Sequence, residues 1–166
     1  MNRIHSFIFL FIIAALFACK KEAQKVELAK ASVTLEALSR ADTLQQEVGV
    51  IKDSIVTLNF KAKLNGEPSA EDHIVTFKVD TTYLNAYKAK YGNASLLPYT
   101  NYLFYTSQAR IPAGSTLSES IQLNLVSQTT LRPESIYVLP IVIKNVDGEQ
   151  NAIAPNQVLY LVVKTG

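Results

Sequence analysis

The residues best suited to acid–base chemistry are Glu67, Glu71, Asp72 and His73, which fall close together in the chain. Paired carboxylates can act as general acid and base, or supply oxygen ligands to Ca²⁺. The spacing matches no calcium loop, however, and the stretch follows the turn pair Asn65-Gly66. A solvated hairpin tip is therefore its expected state, and no metal or cofactor is expected. A His-based zinc site or a Ser-His-Asp triad would have to use His73. No Gly-x-Ser-x-Gly elbow supplies a nucleophile, and no glycine-rich loop cradles a phosphate. The second constellation is aromatic. Of 8 tyrosines, six (Tyr83, Tyr87, Tyr91, Tyr99, Tyr102, Tyr105) lie in one short stretch. An exposed tyrosine offers an apolar ring face and a hydroxyl, which suits the face and hydroxyls of a sugar. Tyr87 and Tyr91 have helical spacing and are expected to pack inward. Alternation buries Tyr102 together with Phe104. Tyr83, Tyr99 and Tyr105 are the candidate ligand-binding members. The chain has no Trp, which weakens the case for a carbohydrate module.

Cys19 is the only cysteine. It ends an apolar run from Phe7 to Ala18, preceded by Arg3. A spanning helix needs about 20 apolar residues, so this shorter run reads as a signal peptide over residues 1–18. Leu16-Phe17-Ala18-Cys19 resembles the lipobox of bacterial lipoproteins. That resemblance implies cleavage before Cys19 and lipidation of its sulfur. Acylation would also remove the liability of an unpaired thiol in a secreted protein. Several acyl chains hold stably where one does not, so the expected partner is the membrane, and the expected place the outer membrane. Residues 19–30 read as the lipidated cysteine and a polar tether. Glu22 is the one acidic residue directly after it, so periplasmic and cell-surface facing both stay open.

Removal of residues 1–18 leaves a chain of ordinary one-domain size. A single cysteine allows no internal disulfide. The formal charge of the whole chain is +2, which argues against nucleic acid as a partner.

The elements that must position these residues are mostly strands. Val33–Leu38 alternates weakly. Ser54–Leu64 alternates clearly, with Val56, Leu58, Phe60, Ala62 and Leu64 on one face. His73–Asp80 follows the loop. Thr81 or Thr82 is placed to cap a short helix in which Leu84, Tyr87, Lys88 and Tyr91 share a face, and Gly92 closes it. Tyr102–Thr106 and Ser118–Ser127 read as strands, and residues 129–135 as a loop or single helical turn. Ile136–Val146 and Val158–Lys164 are apolar on both alternations, so both faces should be covered. Pro140 confines its strand to an edge or a bulge, and an edge would be open to a partner strand. The fold class is all-β: an immunoglobulin-like antiparallel β-sandwich of about seven strands with one short helix, over residues 31–166. Asp42-Thr43-Leu44, Asp53-Ser54-Ile55 and Asp80-Thr81-Thr82 resemble the O-glycan acceptor of Bacteroidetes.

One ordered set of motifs carries a family resemblance. It runs Val79-Asp80, Tyr83-Leu84, Tyr87, Leu97-Pro98, Tyr102, Ile111-Pro112-Ala113-Gly114, Tyr137-Val138-Leu139-Pro140-Ile141 and Val158-Leu159-Tyr160-Leu161. It resembles the domain of unknown function numbered 1735, found in Bacteroidetes lipoproteins. The resemblance implies an immunoglobulin-like sandwich and an association with glycan capture, but no catalytic residue. The expectation is a lipid-anchored, non-enzymatic interaction or spacer module with a glycan or envelope protein as partner. The alternatives are direct carbohydrate binding through tyrosines and a cryptic hydrolase.

Overall fold

In a computed structural model of the protein, residues 32–39, 41–105, 107–148 and 152–166 are described. Cys19, the signal segment and the tether lie outside the described residues. Eleven strands occur among the described residues. They are β1 (Val33–Leu35), β2 (Thr43–Val48), β3 (Val56–Phe60), β4 (Ala62–Leu64), β5 (His73–Val79), β6 (Ser95–Leu96), β7 (Tyr102–Leu103), β8 (Gln108–Ile111), β9 (Ile121–Leu125), β10 (Ile136–Val146) and β11 (Val158–Thr165). Seven of them are four residues or longer. The one α-helix among the described residues is α1 (Leu84–Tyr91).

The larger sheet has the order β2-β11-β10-β5-β8, with β6 added beside β10. The opposing layer is β3-β9-β7, extended by the β1–β4 pair, because β4 begins two residues after β3 ends. The result is the expected all-β sandwich, its larger sheet strongly curled. Most ladders are antiparallel, but β2 runs parallel to β11 and β6 parallel to β10.

Period-2 alternation explains how the layers stack. Leu58 and Phe60 of β3 and Ile121, Leu123 and Leu125 of β9 point inward. They meet Leu139, Ile141 and Ile143 of β10 and Leu159, Leu161 and Val163 of β11. The intervening Val138 and Val142 of β10, with Val158, Tyr160 and Val162 of β11, form a second apolar cluster on the outer face. Tyr87 of α1 covers that face, with Tyr83 and Leu84 packed beside it. Double-sided burial of β10 and β11 is thus the reason their sequences lack polar alternation.

Several local expectations are corrected. Pro140 does not make β10 an edge strand, for β11 pairs one side of it and β5 and β6 the other. The Pro140 carbonyl accepts from the Asp80 N–H at 3.0 Å. Its nitrogen faces the same side, at the seam between the β5 and β6 ladders, where no donor is required. The ladder irregularity falls later, between Ile143 and Asn145. The long strand 54–64 starts at Val56 and is interrupted at Lys61, whose carbonyl turns to accept from the Glu36 N–H at 2.8 Å. Strand 33–38 ends at Leu35 and passes into a 3-10 turn. The side-chain cap sits one turn ahead of α1, on the 3-10 turn Thr81–Tyr83, and is Asp80, not a threonine; α1 itself starts after Tyr83 with no side-chain cap. Asp80 Oδ1 accepts from Thr82 N–H at 3.2 Å and Thr82 Oγ1 at 2.6 Å. The helix does end at Gly92, which has φ 100° and donates to the Lys88 carbonyl at 3.0 Å.

One end of the sandwich is tied by two buried amides. Val56 and Tyr102 both pair with Leu125, so β3 begins, β9 ends and β7 begins there. Gln128 joins the loop before β3 to the end of β9, and Asn101 donates to Ser127 O and Thr130 Oγ1, each at 2.8 Å.

Candidate functional site

The expected acid–base loop does not form a free cluster. Asp72 accepts from Ala113 N–H at 2.7 Å and from Arg110 at 3.2 Å, and Arg110 also holds Glu119 at 2.9 Å. The Ala113 hydrogen bond, more than the guanidinium, holds the Asp72 carboxyl below its usual range. His73 is buried at the start of β5, not solvated in the loop. Its position on β5 points inward, and Nδ1 lies 2.7 Å from Asp147 Oδ2, while Asp147 Oδ1 accepts from Ile74 N–H at 2.7 Å. Glu67 and Glu71 are exposed.

The candidate tyrosines do not form one platform. Tyr99 and Tyr105 flank β7 of the smaller layer and are 83% and 74% exposed. Tyr83 is half-buried on the opposite layer, packed with the outer cluster of the larger sheet. Tyr102 and Phe104 are half-buried against the main core, as alternation required. Burial pushes the Tyr102 hydroxyl up.

What the fold does gather around Tyr83 is a different set. An open cavity of about 370 Å³ is lined by Asp42, Tyr83, Ala86, Lys90, Asn156, Gln157, Val158 and Tyr160. Asp42 precedes β2, Lys90 is on the last turn of α1, and Asn156 and Gln157 lead into β11. Beside it the Tyr87 ring lies 5.2 Å from Tyr160 and 5.1 Å from Tyr91, a ladder of tilted rings. The Asp42 carboxylate accepts from Lys90 Nζ at 2.7 Å on one oxygen and from the Tyr91 hydroxyl on the other. Lys90 Nζ also sits 4.8 Å from the Tyr91 ring centroid. Asp42 thereby locks α1 to the entry of β2. Lys90, then Tyr91, hold the Asp42 carboxyl low, and Asp42 in turn pushes Lys90 up. Burial, then the Asp42 charge, raises Tyr160.

The Asp42 shift fixes a pH dependence. A carboxyl with a lowered folded pKa stabilises above its unfolded value and loses that contribution as pH falls through the folded value. Asp42→Asn should therefore lower stability near neutrality by about 0.5–1 kcal/mol, since the pair is surface-exposed. The difference from the parent should shrink once the pH drops below 3.8, the unshifted value. Urea titrations at a series of pH values check this. A difference that stays constant to strong acid would contradict the lock.

No described helix is long and apolar enough to cross a membrane. The model of a protein family whose description ends in "-like, N-terminal domain" matches residues 25–150, well over half of the chain. No curated protein matches. Solved structures do. One is a protein of Bacteroides ovatus provisionally assigned to carbohydrate binding, at 18% identity and TM-score 0.64 over 80% of this chain and 36% of that one. A second is EndoBT-3987 of Bacteroides thetaiotamicron with a Man5GlcNAc product, at 16% and 0.59 over 80% and 30%. A third is a multidomain protein of Bacteroides ovatus that includes the domain DUF1735, at 17% and 0.57 over 80% and 44%. At these identities the likeness shows the fold. The chain spans less than half the length of each of the three.

Proposed function

Because the chain belongs to this N-terminal-domain family, we propose that it is a domain of the DUF1735 kind acting as a lipid-anchored, non-enzymatic interaction or spacer module in glycan capture. Cys19 is the anchor and the outer membrane the place. The observation that carries the non-enzymatic part is the structural commitment of the acid–base candidates. Asp72 is bonded to Ala113 and Arg110, and buried His73 to Asp147. A general base needs hydrogen-bond reach to a substrate proton; the buried His73 ring offers none, and the half-exposed Asp72 carboxylate is held by Ala113 and Arg110 away from any such partner. The glycan association is supported by the shared fold of a protein provisionally assigned to carbohydrate binding and of EndoBT-3987.

Cell fractionation tests the anchor. Cys19→Ser should abolish labelling by fatty acid and move the protein from the membrane pellet to the soluble fraction. Retention in the pellet without label would sink the lipid anchor. A reducing-sugar assay tests the rest, with no release above background expected. Release that disappears in Glu71→Gln or Asp72→Asn would revive the hydrolase.

A second reading, direct carbohydrate binding through exposed tyrosines, is favoured by the exposure of Tyr99 and Tyr105 beside β7, with Tyr83 left out on the opposite layer. On a glycan array Tyr99→Ala and Tyr105→Ala should then each weaken binding. Retention of full binding in both variants would remove it.

A further inference from the structure

We propose that His73, Ile74 and Asp147 form an acid-sensitive latch that fastens the start of β5 to the end of β10. The first support is the set of bonds gathered on one residue. Asp147 Oδ2 lies 2.7 Å from His73 Nδ1, and Oδ1 accepts from Ile74 N–H at 2.7 Å. The Asp147 N–H donates to the Ile74 carbonyl at 2.8 Å. The last pair of the β5–β10 ladder is Val75 with Val146, so these bonds close the ladder beyond its regular end. Asp147 makes them from φ 52°, a left-handed backbone that few non-glycine residues adopt.

The second is the state of the ring. An ionised carboxylate only accepts, so Nδ1 carries the hydrogen and Nε2 is bare. His73 is 5% exposed, and its Nε2 is shut off from solvent with no partner. A proton on Nε2 would create a buried N–H without an acceptor, which is costly. The ring can take that proton only where water reaches Nε2, and that requires the latch to open. No neighbouring charge relieves the cost. Asp147 already faces Nδ1, and Asp72 is held by Ala113 and Arg110. On β8, Arg110 is matched by Asp72 and Glu119. From the smaller layer, β4 packs against β8 with Ala62 and Leu64 buried and Lys63 exposed.

Histidine is the side chain that ordinarily changes charge between about pH 5 and 8. The closed latch holds the neutral ring, and the open latch takes either form. Protons therefore favour opening, and closure weakens as the pH falls. With an ordinary value of about 6.5 in the open form, opening should rise about tenfold between pH 7.5 and 5.5. Asp147 also begins the connection to Ala152 and Ala154, which bond both backbone groups of Val33 in β1. The latch thus lies at the end of the sandwich where the chain arrives from Cys19.

Nuclear magnetic resonance of the full chain in detergent tests this. His5 is the only other histidine, so the ring is read directly. At pH 7.5 its nitrogens should show hydrogen on Nδ1 and none on Nε2. Amide hydrogen exchange reads the latch. Protection of the Ile74 N–H should fall about tenfold by pH 5.5, while that of Leu161 in β11 should hold. His73→Asn keeps a donor for Asp147 without a titrating group, and should abolish the pH dependence at Ile74. Hydrogen on Nε2, or a charged ring at pH 7.5, would overturn the proposal without recourse to any variant. So would Ile74 protection in the parent that ignores pH, or a pH dependence that survives in His73→Asn.

Discussion

Phe77→Ala should destabilise the fold by about 3–5 kcal/mol, the usual cost of emptying a buried phenylalanine site. Phe77 is 2% exposed and points inward from β5 of the larger sheet. It meets Phe60 of β3 edge-on, with ring centroids 5.5 Å apart and planes at 85°. Phe60 continues to Phe104 at 6.0 Å. The pair is thus a direct contact between the two layers, and its loss removes both buried area and ring geometry. Total stability of a domain this size is about 5–15 kcal/mol, so the variant should sit near the edge of folding. Urea unfolding followed by circular dichroism reads the change. Tyr99→Ala is the control, because a surface change away from buried contacts moves stability within about 0.5 kcal/mol. A Phe77→Ala midpoint close to that of Tyr99→Ala would contradict the described core.

Gln128→Ala should cost about 2–3 kcal/mol for a different reason. The Gln128 side chain is among the largest fully buried ones. Its Oε1 accepts from Ser54 N–H at 3.0 Å. Its Nε2 donates to Ser54 O at 2.5 Å and Leu125 O at 3.2 Å. One amide therefore closes the loop before β3 onto the end of β9. Each net hydrogen bond contributes about 1 kcal/mol, and the groups left without a partner add to the loss. The effect should also be local, because openings of a structure occur in cooperative pieces. Lys52 lies in that loop, beside Ile51 and Ile55, which are 96% and 75% exposed. Limited trypsin digestion under native conditions should cut after Lys52 faster in Gln128→Ala than in Phe77→Ala at matched stability. Equal cutting would mean that Gln128 supports the whole fold and not this loop.

Strands buried on one or both faces were the most legible part of the chain. The run Ile136–Val146 has the bounds that its apolar sequence suggested, and Ser118–Ser127 shortens only to Ile121–Leu125. Both faces of β10 are covered over most of its length, which its nearly all-apolar sequence implied. β2 gave no signal, since Thr43-Leu44-Gln45-Gln46-Glu47-Val48 has no alternation. Its hydrogen bonds come from a parallel pairing with β11, more than a hundred residues away. Pro140 was misleading because whether a donor is needed on the side its nitrogen faces depends on where the β5 ladder stops. His73 begins a strand, as its sequence suggested, but nothing in the sequence showed its burial or its pairing with Asp147 across 74 positions.

The site was less legible than the fold for the same reason. Asp42, Lys90 and Gln157 come from three distant segments, and no spacing rule relates them. Tyr83 was singled out for exposure. It lies half-buried because residues 81–83 form a 3-10 turn that lays it against the outer cluster. A tyrosine-rich helix next to strands apolar on both faces was the one available hint that α1 covers a sheet face. Gln157, which lines the cavity beside it, carried no signal at all.

We propose that a lipid on Cys19 ties this sandwich to the membrane. Mass spectrometry of the N-terminal peptide, from protein purified out of the native membrane, tests it most directly. The expected result is a mature chain that begins at Cys19 and carries the mass of a diacylglycerol, with or without a further acyl chain. A chain that begins elsewhere, or at an unmodified Cys19, would contradict it.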